Sequence, residues 1–270
     1  MTSGGRRLIC LDIDGTILGQ DGFIPPSTHR EVDRLRAEGH EVMLATGRSW
    51  FDTKPIHDRL GLDSRFVVSA NGATTLERDE AAEAGYSPRW IETFDPTAVL
   101  VRLREGLGEA HYAIETPEGE FLFAGGAFPE ASFEAVGRDV SFEELLNQEA
   151  TRVVVVAPDR STEEFMEVVE DSGLHQVSYS VGWTSWLDIA PEGVNKATAL
   201  ERVRLELGIP RELVFAAGDG RNDIEMLSWA AEHGHSVAMG QAPQEVFDVA
   251  SSITAKWEDE GLGQALAKLR

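Results

Sequence analysis

Leu11-Asp12-Ile13-Asp14-Gly15-Thr16 puts two carboxylates two residues apart, directly after the apolar run Leu8–Leu11. Carboxylates that close repel each other, and a divalent cation relieves them. Mg²⁺ in particular takes oxygen ligands, commonly one or two carboxylates completed by water and substrate phosphate. The spacing does not suit a calcium loop. Counted from Asp12, the sixth position is Ile17 where Gly is needed, and the twelfth is Phe23 where Glu is needed. Gly218-Asp219-Gly220-Arg221-Asn222-Asp223 adds two further carboxylates and an amide after the apolar run 213–217. Each cluster also has a plain structural reading: Asp-Gly favours turns, and Asn222 and Asp223 suit the entry to a helix.

Two smaller signals accompany them. Ala45-Thr46-Gly47-Arg48 offers a hydroxyl, a flexible Gly and backbone N–H groups that suit an anion. Lys196 follows Asn195 in the first turn of a helix, where its charge opposes the macrodipole. The chain has four lysines against twenty arginines, and a lysine placed there serves better as a phosphate ligand than as a surface charge. Taken alone, a solvated lysine is the simpler reading. His233 and His235 form an H-x-H with no nearby Cys or third His, which reads as a polar helix end rather than a zinc site.

The elements that must position these groups alternate. Apolar runs at 8–11, 42–45 and 66–69 read as strands, separated by helical patterns at 28–38 and 50–60. Thr28 and Glu31 are spaced as a capping box, and Gly39 terminates the first helix. The rhythm resumes with a helix at 194–207, a strand at 213–217, a helix at 222–232, strands at 236–239 and 251–254, and a closing helix at 262–269. Strand–helix–strand repetition implies a parallel sheet with right-handed crossovers. Residues 85–188 read differently, as helices at 97–104, 142–148 and 162–170 among strands at 111–115, 120–123, 152–156, 176–181 and 185–189. The expected fold is α/β: a doubly wound, Rossmann-like parallel-sheet core (1–84 and 189–270) with an inserted α+β cap domain (85–188).

Composition narrows the function. Asp+Glu number 47 against 24 Lys+Arg, a net charge of −23 that argues against nucleic acid. A site for an anionic substrate must therefore carry its own positive charge. The longest apolar runs, such as Val153 to Ala157, are too short for a bilayer. No signal peptide is expected, and the single Cys10 suits a reducing cytoplasm.

These motifs, in this order, resemble the haloacid dehalogenase-like phosphohydrolases over residues 7 to about 83 and 189 to 270. The segments Gly193-Val194-Asn195-Lys196, Gly218 to Asp223, Ile224-Glu225-Met226-Leu227 and Val237-Ala238-Met239-Gly240 look like the Cof-type branch (subclass IIB), which carries a large α/β cap. Gln241 departs from the Asn usual there, and Trp257 from another common Asn. Both are expected at the rim of the site, clear of the catalytic set.

The resemblance implies a nucleophile at Asp12, forming an aspartyl-phosphate, and a general acid/base at Asp14. It implies Mg²⁺ on Asp12, the Asp14 carbonyl and Asp219, with Asp223 orienting the metal shell. Thr46, Lys196 and Asn222 are expected on the phosphate. Gly47, Arg48 and Asn71 are expected toward phosphate or substrate, although a salt bridge to a core carboxylate is an equal alternative for Arg48. Trp183 and Trp186 are candidates for a sugar-facing cap surface. The implied substrate is a small phosphorylated metabolite, with a sugar phosphate favoured and a monomer preferred. The rivals are a phosphomannomutase-like mutase and a non-catalytic phosphate-sensing module. The six arginines of 85–188 are scattered in sequence, which favours hydrolysis over the mutase.

Overall fold

The computed structural model describes residues 5–19, 21–126, 128, 137–158, 160–171, 177–181 and 186–269. In chain order its elements are β1 (Leu8–Leu11), α1 (Pro26–Ala37), β2 (Glu41–Leu44), α2 (Trp50–Arg59), β3 (Phe66–Ser69), β4 (Thr74–Arg78) and β5 (Tyr86–Ile91). Next come α3 (Thr97–Leu107), β6 (His111–Glu115), β7 (Phe121–Ala124), β8 (Gly137–Asp139), α4 (Phe142–Leu145), β9 (Arg152–Val156), α5 (Thr162–Asp171), β10 (Val177–Val181) and β11 (Trp186–Pro191). The chain closes with α6 (Lys196–Leu207), β12 (Val214–Gly218), α7 (Ile224–Ala231), β13 (His235–Ala238), α8 (Gln244–Phe247), β14 (Ser252–Ile253) and α9 (Gly261–Leu266).

The core sheet is parallel, in the order β14-β13-β12-β1-β2, and a parallel bridge from Ala45 to Val68 brings β3 alongside β2. Successive residues of β1 point to opposite faces. Ile9 and Leu11 join Val32 and Leu35 of α1, Ile56 of α2 and Leu262 and Leu266 of α9. Leu8 and Cys10 join Leu200 and Val203 of α6 and Met226 and Leu227 of α7. Helices therefore cover both faces, which is why the strands are apolar throughout rather than alternating. The winding reverses between β1 and β12, whose register pairs Leu11 with Ala217. That reversal is where α/β sheets bind ligands, just beyond the strands' carboxyl ends.

A second sheet of mostly antiparallel strands, β10-β11-β9-β6-β7-β8, covers one face with α3, α4 and α5. The architecture is thus α/β with a parallel core and a separate sheet region, as the sequence predicts. β4 and β5, which the sequence did not announce, form an antiparallel sheet with β3. The expected capping box is absent. α1 starts earlier, with Pro26 in its first turn and no side-chain cap, because a proline there has no N–H to satisfy. Glu31 instead accepts from Arg30 and Arg34, at 3.1 and 2.8 Å. Among the described residues no helix is long and apolar enough to cross a membrane.

Candidate active site

Four loops meet at the reversal. Asp12 follows β1, Thr46 follows β2, Asp219 follows β12, and Lys196 opens α6, where Asn195 caps the helix by accepting from Thr198 N at 3.0 Å. Lys196 is completely buried, and its Nζ donates to Asp12 Oδ1 and to Asp223 Oδ1, both at 2.6 Å. Burial would discharge that ammonium, but the two carboxylates outweigh burial and hold it charged, well above the ordinary lysine range. Asp223 turns its other oxygen, Oδ2, to the N–H groups of Asp219 and Gly220, at 3.0 and 2.9 Å. A Cβ at Gly218 would lie 2.5 Å from Asp223 Cγ, so glycine is what lets this carboxylate fold under the strand end.

Asp219 is held from both sides. Thr16 Oγ1 donates to Oδ1 at 3.3 Å, and Gln241 Nε2 donates to Oδ2 at 3.2 Å. Gly15 packs directly against it: at φ 77° a Cβ there would come 2.1 Å from Oδ2. Burial first, then the charge of Asp223, pushes the Asp219 carboxyl up to about 7, against the opposing pull of Gln241, Lys196 and Thr16. Burial and the neighbouring carboxylates likewise raise Asp12, with Lys196 opposing.

Asp12, Asp219 and Asp223 each bring an oxygen within 4.8 Å of the others, the one such cluster of potential metal ligands among the described residues. Three buried carboxylates sharing one ammonium are short of positive charge, and their donors are all hard oxygens. That set fits a divalent cation of the Mg²⁺ type. The carboxylate of Asp14 stands outside the cluster. It is 59% exposed, and Arg48 grips it through Nε at 2.8 Å and Nη2 at 2.6 Å. Arg48 thus does have a core carboxylate as its partner, and that carboxylate is Asp14.

The Thr46 loop is tied to the loop after β3. Asn71 N donates to Thr46 O at 3.0 Å, and Ala70 N to Arg48 O at 2.9 Å. Thr46 is buried, and its Oγ1 accepts from Arg48 N. Asn222 Nδ2 donates to Asn71 Oδ1 at 3.0 Å, and Gly47 passes so close that a Cβ there would lie 3.0 Å from the same oxygen. Asn71 sits at φ 52°, in the left-handed region that Asn tolerates better than most residues. The ten residues expected in catalytic, metal or phosphate-side roles therefore fall in these converging loops.

The rim assignment of Gln241 needs correcting. Met239 N donates to Gly218 O, which carries the chain after β13 back beside β12. Gln241 Nε2 then reaches both Asp219 and the Gly15 carbonyl, the latter at 2.6 Å, while its Oε1 accepts from Trp257 N at 3.0 Å. The Trp257 ring lies against Gly19, and its Nε1 donates to Ile17 O. The two departures are one linked feature, and no spacing signal in the sequence joins them. Trp183 lies outside the described residues, and of Trp186 only its backbone position in β11 is described.

Comparison with known proteins gives matches over most of the chain. A family model described as haloacid dehalogenase-like hydrolase matches residues 9–266. A Bacillus subtilis protein named 5-amino-6-(5-phospho-D-ribitylamino)uracil phosphatase YitU is 26% identical, with 96% of each chain covered. An HMP-PP phosphatase of Serratia proteamaculans is 27% identical, over 87% of this chain and 84% of its own. Among solved structures, a sugar phosphatase of haloacid dehalogenase subclass IIB superposes with a TM-score of 0.80 at 22% identity, covering 97% of this chain and 98% of its own.

Proposed function

Since the chain belongs to the haloacid dehalogenase-like hydrolases, we propose that it is a Mg²⁺-dependent phosphatase of small phosphorylated metabolites, working through an aspartyl-phosphate on Asp12. The observation that carries this reading is the buried Lys196 bridging Asp12 and Asp223 at the strand ends. Phosphoryl transfer asks for positioning and charge neutralisation, and this cluster is built from both. Relatives that cover most of the chain bear the names of phosphatases, one of them a 5-amino-6-(5-phospho-D-ribitylamino)uracil phosphatase.

Asp12 attacks phosphorus, forming a P–O bond to its carboxylate as the ester P–O bond breaks. Asp14 protonates the departing alkoxide. It then takes a proton from the water that attacks the aspartyl-phosphate, which restores Asp12 and releases phosphate. Lys196 keeps positive charge beside Asp12 throughout, and Thr46 and Asn222 orient the phosphoryl oxygens. Asp12, Asp219 and the Asp14 carbonyl, with Asp223 supporting them, would hold Mg²⁺, which when bound would supply positive charge that keeps Asp12 ionised and offsets the phosphoryl group. Arg48 occupies both oxygens of Asp14, so the proton transfers require it to move aside for substrate.

The inserted unit completes the proposal as a selective cap. The pairing of β5 with β4 supports setting its first connection after Ile91, later than the expected residue 85, and β11 supports an exit after Pro191. The mutase alternative is weakened because Arg104, Arg138 and Arg152 of this unit pair with Glu143, Glu120 and Asp188. The test is phosphate release from a panel of phosphomonoesters with Mg²⁺, with Asp12→Asn as the blank. No release from any ester would end this reading.

A further inference from the structure

Leu18 sits directly opposite Asp14 in a short parallel bridge, and Gly15 N donates to Leu18 O at 2.9 Å. The turn that brings them together is anchored on Ile13 O, which accepts from Ile17 N at 2.9 Å and from Leu18 N at 2.8 Å. Ile13 and Ile17 are completely buried, so the turn has a fixed inner side. Its outer side carries the Asp14 carboxylate, exposed and gripped by Arg48. With Arg48 displaced by substrate, as the proposed mechanism requires, the backbone of this turn is left to aim the carboxylate.

Trp257 holds the turn on either side of Leu18. Its Nε1 donates to Ile17 O at 3.3 Å, and its ring fills a notch at Gly19, where the indole leaves no room for a Cβ. The indole is itself set from behind. Trp257 N donates to Gln241 Oε1 at 3.0 Å, and Gly240 N donates to Ala255 O at 3.1 Å. These bonds tie the short helical turn Trp257–Asp259 to the loop after β13. The two departures thus divide the work. Gln241 reaches Gly15 O and Asp219, on the metal side, while Trp257 takes the two neighbours of Leu18. Trp257 also packs, partly buried, against the core, and packing alone would make it a stabilising residue and nothing more.

We propose that Trp257 is a positioning residue for the proton-transfer step, holding this turn so that the Asp14 carboxylate stays within reach of the leaving oxygen. This rests on the phosphatase reading and adds a residue outside the set expected to touch substrate or metal. An acid/base works only within hydrogen-bond reach of the atom it serves, and a misplacement of about 1 Å can cost about 10²-fold. An indole suits the task, since it offers a broad rigid body together with one N–H that seeks an acceptor. Asp12, Lys196 and Asp219 are placed by strand ends and by one another. Loosening the turn at Ile17 and Gly19 therefore spares attack on phosphorus and cation binding, and costs protonation of the leaving group.

The experiment compares kcat/KM of the full chain on two esters. One is the fastest alkyl ester of the phosphomonoester panel, and the other is 4-nitrophenyl phosphate, whose leaving group departs without a proton. Trp257→Phe keeps a ring and removes the N–H. It should lower the alkyl value by about fivefold, the worth of one neutral hydrogen bond, and leave the aryl value within about twofold. Trp257→Ala removes the ring as well and should widen the gap between the esters to about 10- to 100-fold. In an Asp14→Asn background Trp257→Phe should change neither value, because residues acting through one group are not additive. The Mg²⁺ concentration for half-maximal rate should stay in place. Equal losses on the two esters, an unchanged ratio, an undiminished effect with Asp14 already replaced, or a shifted Mg²⁺ requirement would each overturn the proposal. All four are read from Trp257→Phe alone should Trp257→Ala fail to fold. A wild-type protein that hydrolyses only the aryl ester has no proton-dependent departure for Trp257 to serve, and also overturns it. One that hydrolyses neither ester removes the phosphatase reading itself.

Discussion

Arg48 closes both arms on Asp14, Nε to Oδ2 at 2.8 Å and Nη2 to Oδ1 at 2.6 Å, so the proposed acid/base is held by a cation until substrate arrives. The ion pair in turn strengthens the protonation of Arg48. Asp14 matters to the chemistry only if the leaving group needs a proton. Asp14→Asn should therefore reduce kcat/KM for alkyl phosphates by roughly 10²–10⁴-fold, the usual worth of a positioned acid/base. An aryl phosphate with an acidic phenol as leaving group should suffer much less. Equal losses on the two ester types would deny Asp14 the proton-transfer role.

Asp12→Asn should leave a folded protein with less than about a thousandth of wild-type turnover, because a neutral amide is no nucleophile. Residual turnover well above that level in purified protein would argue against covalent catalysis at this position. Intact-mass measurement of wild-type protein quenched during turnover should detect a phosphorylated species that the variant lacks.

Gln241 gives the proposed metal-binding carboxylates a support reaching from Trp257 through its amide to Asp219 and Gly15. Partners that orient metal ligands typically contribute 10–100-fold to metal affinity. Gln241→Ala should weaken Mg²⁺ binding by about that factor, read as a shift in the Mg²⁺ titration of tryptophan fluorescence or of melting temperature. Gln241→Glu adds a fourth carboxylate beside Asp219 and should destabilise the metal-free protein, with partial recovery in Mg²⁺. An unchanged Mg²⁺ titration in the alanine variant would reduce Gln241 to a packing role.

Much of this site is legible in the sequence because short-range rules govern it. Leu8–Leu11 and Phe66–Ser69 are continuous apolar runs buried on both faces, and their bounds follow directly. Asp12, Thr46 and Asp219 are then placed by the rule that chemistry gathers at strand ends. What eludes the sequence depends on long-range closure. Thr74–Arg78 and Tyr86–Ile91 mix polar and apolar residues, and Pro88 interrupts the second, so only the pairing of β4 with β3 and of β5 with β4 makes them strands. Thr28 and Glu31 carry the spacing of a cap, but Pro26 moved the helix start ahead of them. Gln241 meets Gly15 across 226 residues of chain, a distance over which spacing carries no signal.

Glu115 makes a last prediction whose sign can be worked out. Burial, with Asp188 and Asp52 adding and Arg152 opposing, pushes its carboxyl from an ordinary value of 4.5 up to about 7. Between those two values the folded chain holds a proton that the unfolded chain has released. Stability then falls as pH rises, because the folded state is the one binding more protons. The contribution is fully present below about 4.5, is lost progressively through about 7, and changes no further above that. Glu115→Gln carries no titrating proton and lacks this component. Asp12 and Asp219 are raised in the same direction, so the wild-type slope alone does not isolate Glu115. The difference between wild type and Glu115→Gln does, because those two groups are common to both. Urea melts at pH 5 and pH 8 should therefore show wild type losing more stability than the variant, by up to about 3 kcal/mol at ~1.4 kcal/mol per unit of pKa. Parallel pH dependences in the two proteins would mean that Glu115 is ionised in the folded chain, already paired with a cation or solvated by water.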